Sequence, residues 1–304
     1  MTHPGQYHGP MPHLNLATFL GSAAPSIDII DVGAMILAGA TNEYQPLVQQ
    51  GVGHVVGFEP IPEECEKLNR TCGKNQRFLP YFIGDGNSAE FKQCTAPFTS
   101  SLLEPNLPLL RRFNQLEEIT TPIKRSSVNT RRLDDIPEIT GMDLLKIDVQ
   151  GAELDVLRGG ERLLKNAVVV QTEVEFLPMY ISQPLFADID AELRRQGFCI
   201  HIMGEGQGRC FKPLAPAGDP GRRINQVMWA DAVYIKDFMR FRDLSPEQLL
   251  KLAVIVNDCY HSHDLAAYAL QHYDARTGKG LWPLFMRRLL GQAPPPPPPL
   301  DDAP

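Results

Sequence analysis

No C-x-x-C pair occurs in this sequence, although it holds six cysteines, and that absence sets the first limit on its chemistry. Cys65, Cys72, Cys94, Cys199, Cys210 and Cys259 are scattered, with neither the spacing of a zinc site nor the density of a disulfide framework, so reduced thiols in a cytoplasm are expected. Basic residues are in deficit too: 29 Lys and Arg against 36 Asp and Glu leave a net charge of -7, which argues against a nucleic-acid-binding surface. Short basic pairs such as Arg111-Arg112 and Lys124-Arg125 read as solvated surface. No apolar run reaches the length of a membrane span, and no basic segment leads into an apolar stretch at the start, so neither membrane insertion nor export is expected. Internal repeats are also missing. With 43% hydrophobic residues, the 304-residue chain suffices for one large α/β core, or one core with a small extension.

A polar lead covers 1–13; its His3, His8 and His13 recur every fifth residue, and it reads as a flexible tail rather than a metal site. From there strand and helix patterns alternate. Helices are expected at 14–20, 42–50, 62–71, 152–165 (broken near Gly159-Gly160) and 185–196, and strands at 27–32, 54–58, 77–83, 144–149, 168–173, 198–203 and 227–235. Short extra strands are expected at 88–93 and, as an edge strand, at 126–133, while 95–121 reads as a proline-interrupted loop. This alternation implies one α/β domain over 14–240 with a parallel core. The texture then changes: Ser245, Pro246 and Gln248 form a capping-box start, and helices at 246–257, 262–273 and 281–290 make a helical extension over 241–292. The third helix carries Trp282, Phe285 and Met286 and is expected to pack on the extension rather than on a partner or membrane. The final 293–304 contains the Pro294 to Pro299 run, an exposed polyproline tail able to contact a proline-recognising protein.

The most informative stretch is Asp143-Leu144-Leu145-Lys146-Ile147-Asp148-Val149-Gln150-Gly151-Ala152-Glu153, an apolar strand core ending in an acid, a glycine turn and a second acid. A central strand of such a sheet is apolar on both faces, so Lys146 and Asp148, which share one strand face, are read as site residues rather than packing residues. Glu153 is read as complementing the dipole of the helix that follows, and helix capping is the alternative weighed for Asp148.

Four strands end in acid, at Asp31, Glu59, Asp85 and Asp148, and ligands of open parallel sheets bind at strand carboxyl ends where strand order reverses. The four are therefore expected to converge. Gly33 removes a side chain that would block a ligand at the first turn, and Glu59 is placed to accept hydrogen bonds from ribose hydroxyls. A dinucleotide site would want G-x-G-x-x-G, but Gly33 is followed by Met35 and Ala38, without the middle glycine. A cofactor with ribose and no phosphate suits the turn better, and S-adenosylmethionine, cationic at sulfur, suits an acidic mouth.

The blocks I-D-I-I-D-V-G-A (27–34), V-V-G-F-E-P (55–60), T-S-S-L-L-E-P-N (99–106) and D-L-L-K-I-D-V-Q-G-A-E-L-D-V-L-R-G-G (143–160) resemble those of the FkbM-type methyltransferases, over roughly 28–236. That resemblance implies a Rossmann-like class I methyltransferase fold, with an antiparallel hairpin at one edge of a mostly parallel sheet and helices on both faces. It further implies S-adenosylmethionine as cofactor and O-methylation of a sugar, glycan, glycolipid or natural-product hydroxyl. Cofactor contacts fall, on the motifs it shares, to Asp31, Gly33, Ala34, Glu59, Pro60, Ser101 and Asp148, and Asp85 joins them from the strand-end reading alone. Two departures stand out. Met35 follows Ala34, and the next glycine is Gly39, so the cofactor loop is longer or differently shaped. Gln150 replaces the family's common glutamate, which lowers local charge and weakens a metal role.

Methyl transfer needs in-line approach and loss of the hydroxyl proton. Asp148 is the expected base, with Lys146 tuning its charge and Glu173 in reserve; His201 reads as structural. Ser100 and Ser101 either line the pocket or satisfy turns. A divalent ion on Asp148, Glu153 and Glu173 is disfavoured, and no metal is assigned. The acceptor pocket is expected to draw its wall from 95–121 and the C-terminal helices. Competing readings are an NAD-dependent oxidoreductase, opposed by the missing glycine, and a non-catalytic binding protein using its C-terminus for partners. The sequence carries no signal for oligomeric state.

Overall fold

The computed structural model describes residues 14–35, 41–292 and 300. The lead 1–13 with its histidines, the loop stretch 36–40 with Gly39 and the proline run of the tail lie outside the described residues.

Among the described residues ten strands form: β1 Ile27–Val32, β2 Gly53–Phe58, β3 Gln76–Leu79, β4 Phe82–Ile83, β5 Ser88–Cys94, β6 Pro122–Arg131, β7 Leu144–Ile147, β8 Val169–Glu175, β9 Phe198–Met203 and β10 Trp229–Lys236. Seven of them make one sheet in the order β3-β2-β1-β7-β8-β10-β9. Neighbours pair in parallel except β10, which runs antiparallel to both β8 and β9. This is the expected Rossmann-like sheet, and its strand order reverses between β1 and β7. β1 shows why: Ile27, Ile29, Ile30 and Val32 are each at most 1% exposed, so the strand is buried on both faces as a central parallel strand must be. Helices Glu153–Gly159, Glu161–Leu164 and Phe186–Arg195 contribute Val156, Leu157, Leu164, Ile189 and Leu193 to the core built on Ile30, Val32, Leu145, Ile147 and Val170.

Three expectations need correction. The single strand at 77–83 is two, because Pro80 has no N–H for a ladder. β3 stays in the main sheet, while β4 enters a second sheet of order β4-β6-β5. The extra strands at 88–93 and 126–133 are accordingly not edges of the main sheet but partners of each other in this small one, antiparallel from Ser88↔Asn129 to Cys94↔Pro122. The segment 95–121 is no plain loop, since it contains helical turns Leu107–Leu110 and Leu116–Thr120.

The chain divides into two compact units, Ser26–Asn42 with Gly53–Arg240, and Met1–Pro25 with Glu43–Val52 and Phe241–Pro304. The second is helical, and two early segments join it that the sequence placed with the sheet. Inside it Asp258 accepts hydrogen bonds from Leu16 and Ala17 N–H (2.7 and 3.0 Å), capping helix Leu16–Leu20 from helix Pro246–Tyr260, and Asn257 Nδ2 donates to Leu14 O at 2.7 Å. These bonds satisfy a helix start that would otherwise leave N–H groups orphaned. The Ser245/Gln248 capping box forms as its spacing requires, and Phe285 of the last helix is fully buried.

Candidate active site

The site is assembled where β1 and β7 part. Parallel register sets Asp31 against Lys146, and Lys146 Nζ lies 3.4 Å from Asp31 Oδ1, whose side chain is fully buried. Lys146 was expected to tune Asp148; its ion pair is instead with Asp31, because adjacent strands bring aligned residues closer than two positions along one strand. Gly33 also has a task within the sheet. With φ at +84°, a Cβ there would sit 1.8 Å from Asp148 O, so glycine is what lets the ends of β1 and β7 close on each other. Asp148 N–H donates to Val32 O at 2.9 Å across that junction, and Gly33 and Ala34 N–H both donate to Phe58 O.

At the end of β2, Glu59 is 2% exposed and followed directly by Pro60. Burial, with Glu64 and Asp31 nearby, pushes its carboxyl up to about 7 against the single backbone bond that favours ionisation. Its Oε1 accepts from Ile61 N–H at 2.9 Å, and Oε2 has no partner among the described residues. A buried carboxylate with an unused oxygen at a parallel strand end fits hydroxyl donors such as those of a ribose.

Asp85 does not join this group. It sits in the turn after β4, where Asn87 N–H, Asn87 Nδ2 and Thr130 Oγ1 bond its carboxylate and hold it below the usual range.

Beyond β7 the chain makes a tight turn in which Gln150 (φ +55°) and Gly151 (φ +104°) both take left-handed backbone. Glu153 organises it: 1% exposed, its Oε1 accepts from Val149 and Gly151 N–H, each at 3.1 Å, so it serves the turn in front of its helix more than the helix dipole. Burial drives its carboxyl up to about 7. Gln150 then joins the two predicted acids, since its Nε2 donates to Asp148 Oδ1 at 2.8 Å and to Glu173 Oε2 at 2.9 Å. Asp148 is exposed, whereas Glu173 is held well above the ordinary carboxyl range, first by burial and then by Asp148 and Glu175. Ser101 is 1% exposed and donates to Gln150 O at 2.6 Å while accepting from Leu103 N–H, so in this structure it positions the turn. His201 stands on β9.

Sequence reasoning passed over Glu175, two positions beyond Glu173 on the same face of β8. It is 1% exposed, and neither carboxylate oxygen has a hydrogen-bond partner among the described residues. Burial, reinforced by Glu153 and Asp148, raises it well above the ordinary range. The alternation of two acids on a buried strand was the available signal. Tyr180 was missed as well; buried at 1% exposure, its hydroxyl donates to Thr99 O at 2.7 Å and lies 3.3 Å from Gln150 Oε1. Chemically the arrangement offers one exposed carboxyl, tied by an amide to a half-buried acid whose proton affinity is raised, with the buried Glu59 carboxyl two strands away.

Among the described residues, no cluster of His, Cys, Asp or Glu is placed to hold a metal ion, and no helix is long and apolar enough to cross a membrane. The chain is 44% identical over 152 residues to the 2-O-methyltransferase NoeI of Sinorhizobium fredii, a match covering 44% of this chain and 58% of that protein. It is 30% identical over 172 residues to Methyltransferase 1 of Beauveria bassiana, covering 49% and 64%. It thus spans under two thirds of the length of either relative. Among solved structures, magnesium protoporphyrin IX methyltransferase of Synechocystis PCC 6803 with bound SAM aligns at a TM-score of 0.35 and 12% identity, over 70% of this chain and 71% of that one. The methyltransferase FkbM domain profile matches residues 31–200, more than half the chain and every element of the site just described, and the chain belongs to that family.

Proposed function

We propose that this chain is an S-adenosylmethionine-dependent O-methyltransferase that methylates a hydroxyl of a sugar, glycan, glycolipid or natural-product acceptor. The observation that carries it is the Asp148–Gln150–Glu173 bridge at the carboxyl ends of two parallel strands, with Glu59 at the end of another strand of the same sheet. Asp31, Gly33, Ala34, Glu59, Pro60, Ser101 and Asp148 surround the cofactor in this proposal. Glu59 accepts the ribose hydroxyls, and the acids Asp31 and Asp148 suit a cation. S-adenosylmethionine supplies the methyl group on a sulfonium sulfur. Asp148 takes the hydroxyl proton, and Gln150 holds it in place while donating also to Glu173, whose carboxyl, raised by burial, gives up its proton less readily than an ordinary glutamate. The name of the Sinorhizobium relative supports oxygen as the methylated atom.

Six unpaired cysteines support a cytoplasmic setting, and the C-terminal helices and proline tail are proposed to contact a protein partner. Isothermal titration with S-adenosylhomocysteine and with NAD tests the cofactor. Binding of the first and not the second is expected, and NAD binding alone would return the chain to the oxidoreductase reading.

A further inference from the structure

Segment 204–228 joins β9 to β10, and β9 lies parallel to β8 because β10 is antiparallel to both. The segment therefore leaves the sheet at the same edge as Asp148 and Glu173. There it zips onto the other excursion of that edge: Asn114 N–H donates to Cys210 O at 3.1 Å, Lys212 N–H donates to Arg112 O at 2.8 Å, and the rings of Phe113 and Phe211 are 4.5 Å apart. Leu110, Phe113 and Leu116 share one apolar cluster with Tyr180 and Met228, and Tyr180 is the residue that reaches Gln150. A cap built from 95–121, 176–184 and 204–228 is thus joined to the acid bridge through Tyr180.

In this cap lies a pocket of about 430 Å³ walled by Arg209, Phe211, Lys212, Leu214 and Ile224. Phe211, Leu214 and Ile224 are more than half exposed (55%, 56% and 54%), so one pocket collects large apolar side chains that the core has not absorbed. Arg209 lies with its guanidinium 5.5 Å from the Trp229 ring, makes no ion pair among the described residues, and has a buried Nε without a hydrogen-bond partner. A guanidinium matches oxyanions bidentately, and a buried N–H left unpaired costs more than one that finds an acceptor. Lys212 adds a second positive charge, shared with Glu118 at 3.2 Å. An anion would be repelled at the acid bridge and attracted here.

We propose that this pocket anchors the methyl acceptor, and that the acceptor is amphipathic, carrying an oxyanion (carboxylate, sulfate or phosphate) next to an apolar portion. The proposal rests on the methyltransferase reading. Binding of octyl glucuronide, octyl glucoside and free glucuronate, each below any micelle concentration, is measured by titration in the full chain, with octyl sulfate and octyl phosphate ranking the oxyanions. Octyl glucuronide is expected to bind at least ~10-fold tighter than the neutral glucoside and than free glucuronate. Arg209→Gln should erase the first ratio and Leu214→Asp the second, with S-adenosylhomocysteine affinity and melting temperature unchanged; Lys212→Gln, at an exposed position, repeats the charge test. Equal binding of the three probes, or ratios that survive all three variants, overturns the proposal. If the ratios hold while S-adenosylhomocysteine does not bind, the pocket stands and the methyltransferase reading falls.

Discussion

If Glu59 takes the ribose as proposed, cofactor binding becomes a titration. Without ligand its carboxyl lies at about 7, against 4.5 for an ordinary glutamate, because burial opposes its charge. Ribose hydroxyls donating to it favour the ionised form, so binding expels a proton. In the limit where the bound carboxylate returns to its ordinary value, S-adenosylhomocysteine binds about 70-fold more weakly at pH 5 than at pH 8, and releases about 0.9 proton at pH 6. The same shift acts on folding with a fixed sign. A raised carboxyl binds more protons folded than unfolded between 4.5 and about 7, so its contribution is present at low pH and lost as pH rises through that window, about 3 kcal/mol in all. The assay is isothermal titration at pH 6 in buffers of different ionisation enthalpy, repeated from pH 5 to 8. Glu59→Gln should bind more weakly at pH 8 and lose this pH dependence. If wild type releases no proton, or if the variant keeps the wild-type pH profile, Glu59 does not take the ribose.

Asp148→Asn should retain S-adenosylhomocysteine binding while methyl transfer falls about 100-fold or more, the scale of a lost general base; full turnover would remove Asp148 from the chemistry. Gln150→Glu replaces two donor contacts to carboxylates, at 2.8 and 2.9 Å, by like charges. Each contact is worth about 1.5–3 kcal/mol, so a stability loss of about 3–6 kcal/mol is expected at pH 8.5 and clearly less at pH 5.5, read from urea midpoints. A loss independent of pH would mean that the amide does not bridge the acids. Gly33→Ala should cost more than about 3 kcal/mol by the same measurement, since the new Cβ meets backbone rather than a flexible side chain. A variant with wild-type stability would show that β1 and β7 are not so close.

How legible the fold was depended on whether a rule acted within one element. β1, helix Pro62–Thr71 and the Ser245 capping box depend on local burial period and end chemistry, and they form where those signals stand. Strand partnership does not depend on local sequence. Ser88–Cys94 and Pro122–Arg131 look like any half-exposed strands, and only the break at Pro80 diverts their neighbour into a separate sheet with them. The early helix Leu16–Leu20 likewise belongs with the C-terminal helices through Asp258, a contact 242 residues away that no window contains.

The site divides along the same line. Asp31, Glu59 and Asp148 were visible because an acid at the end of an apolar strand has no packing explanation. Their assignments to one another were not, since Lys146 chooses Asp31 through register between strands and Gln150 reaches Glu173 through a left-handed turn. Gln150 shows what this costs. Read as a bare replacement for glutamate it only lowers charge, but the folded turn makes it the donor that lets an exposed and a half-buried carboxyl stand side by side. A glutamate there would need a proton to do the same, so the substitution ties the acid pair together at a pH where three carboxyls could not all be ionised.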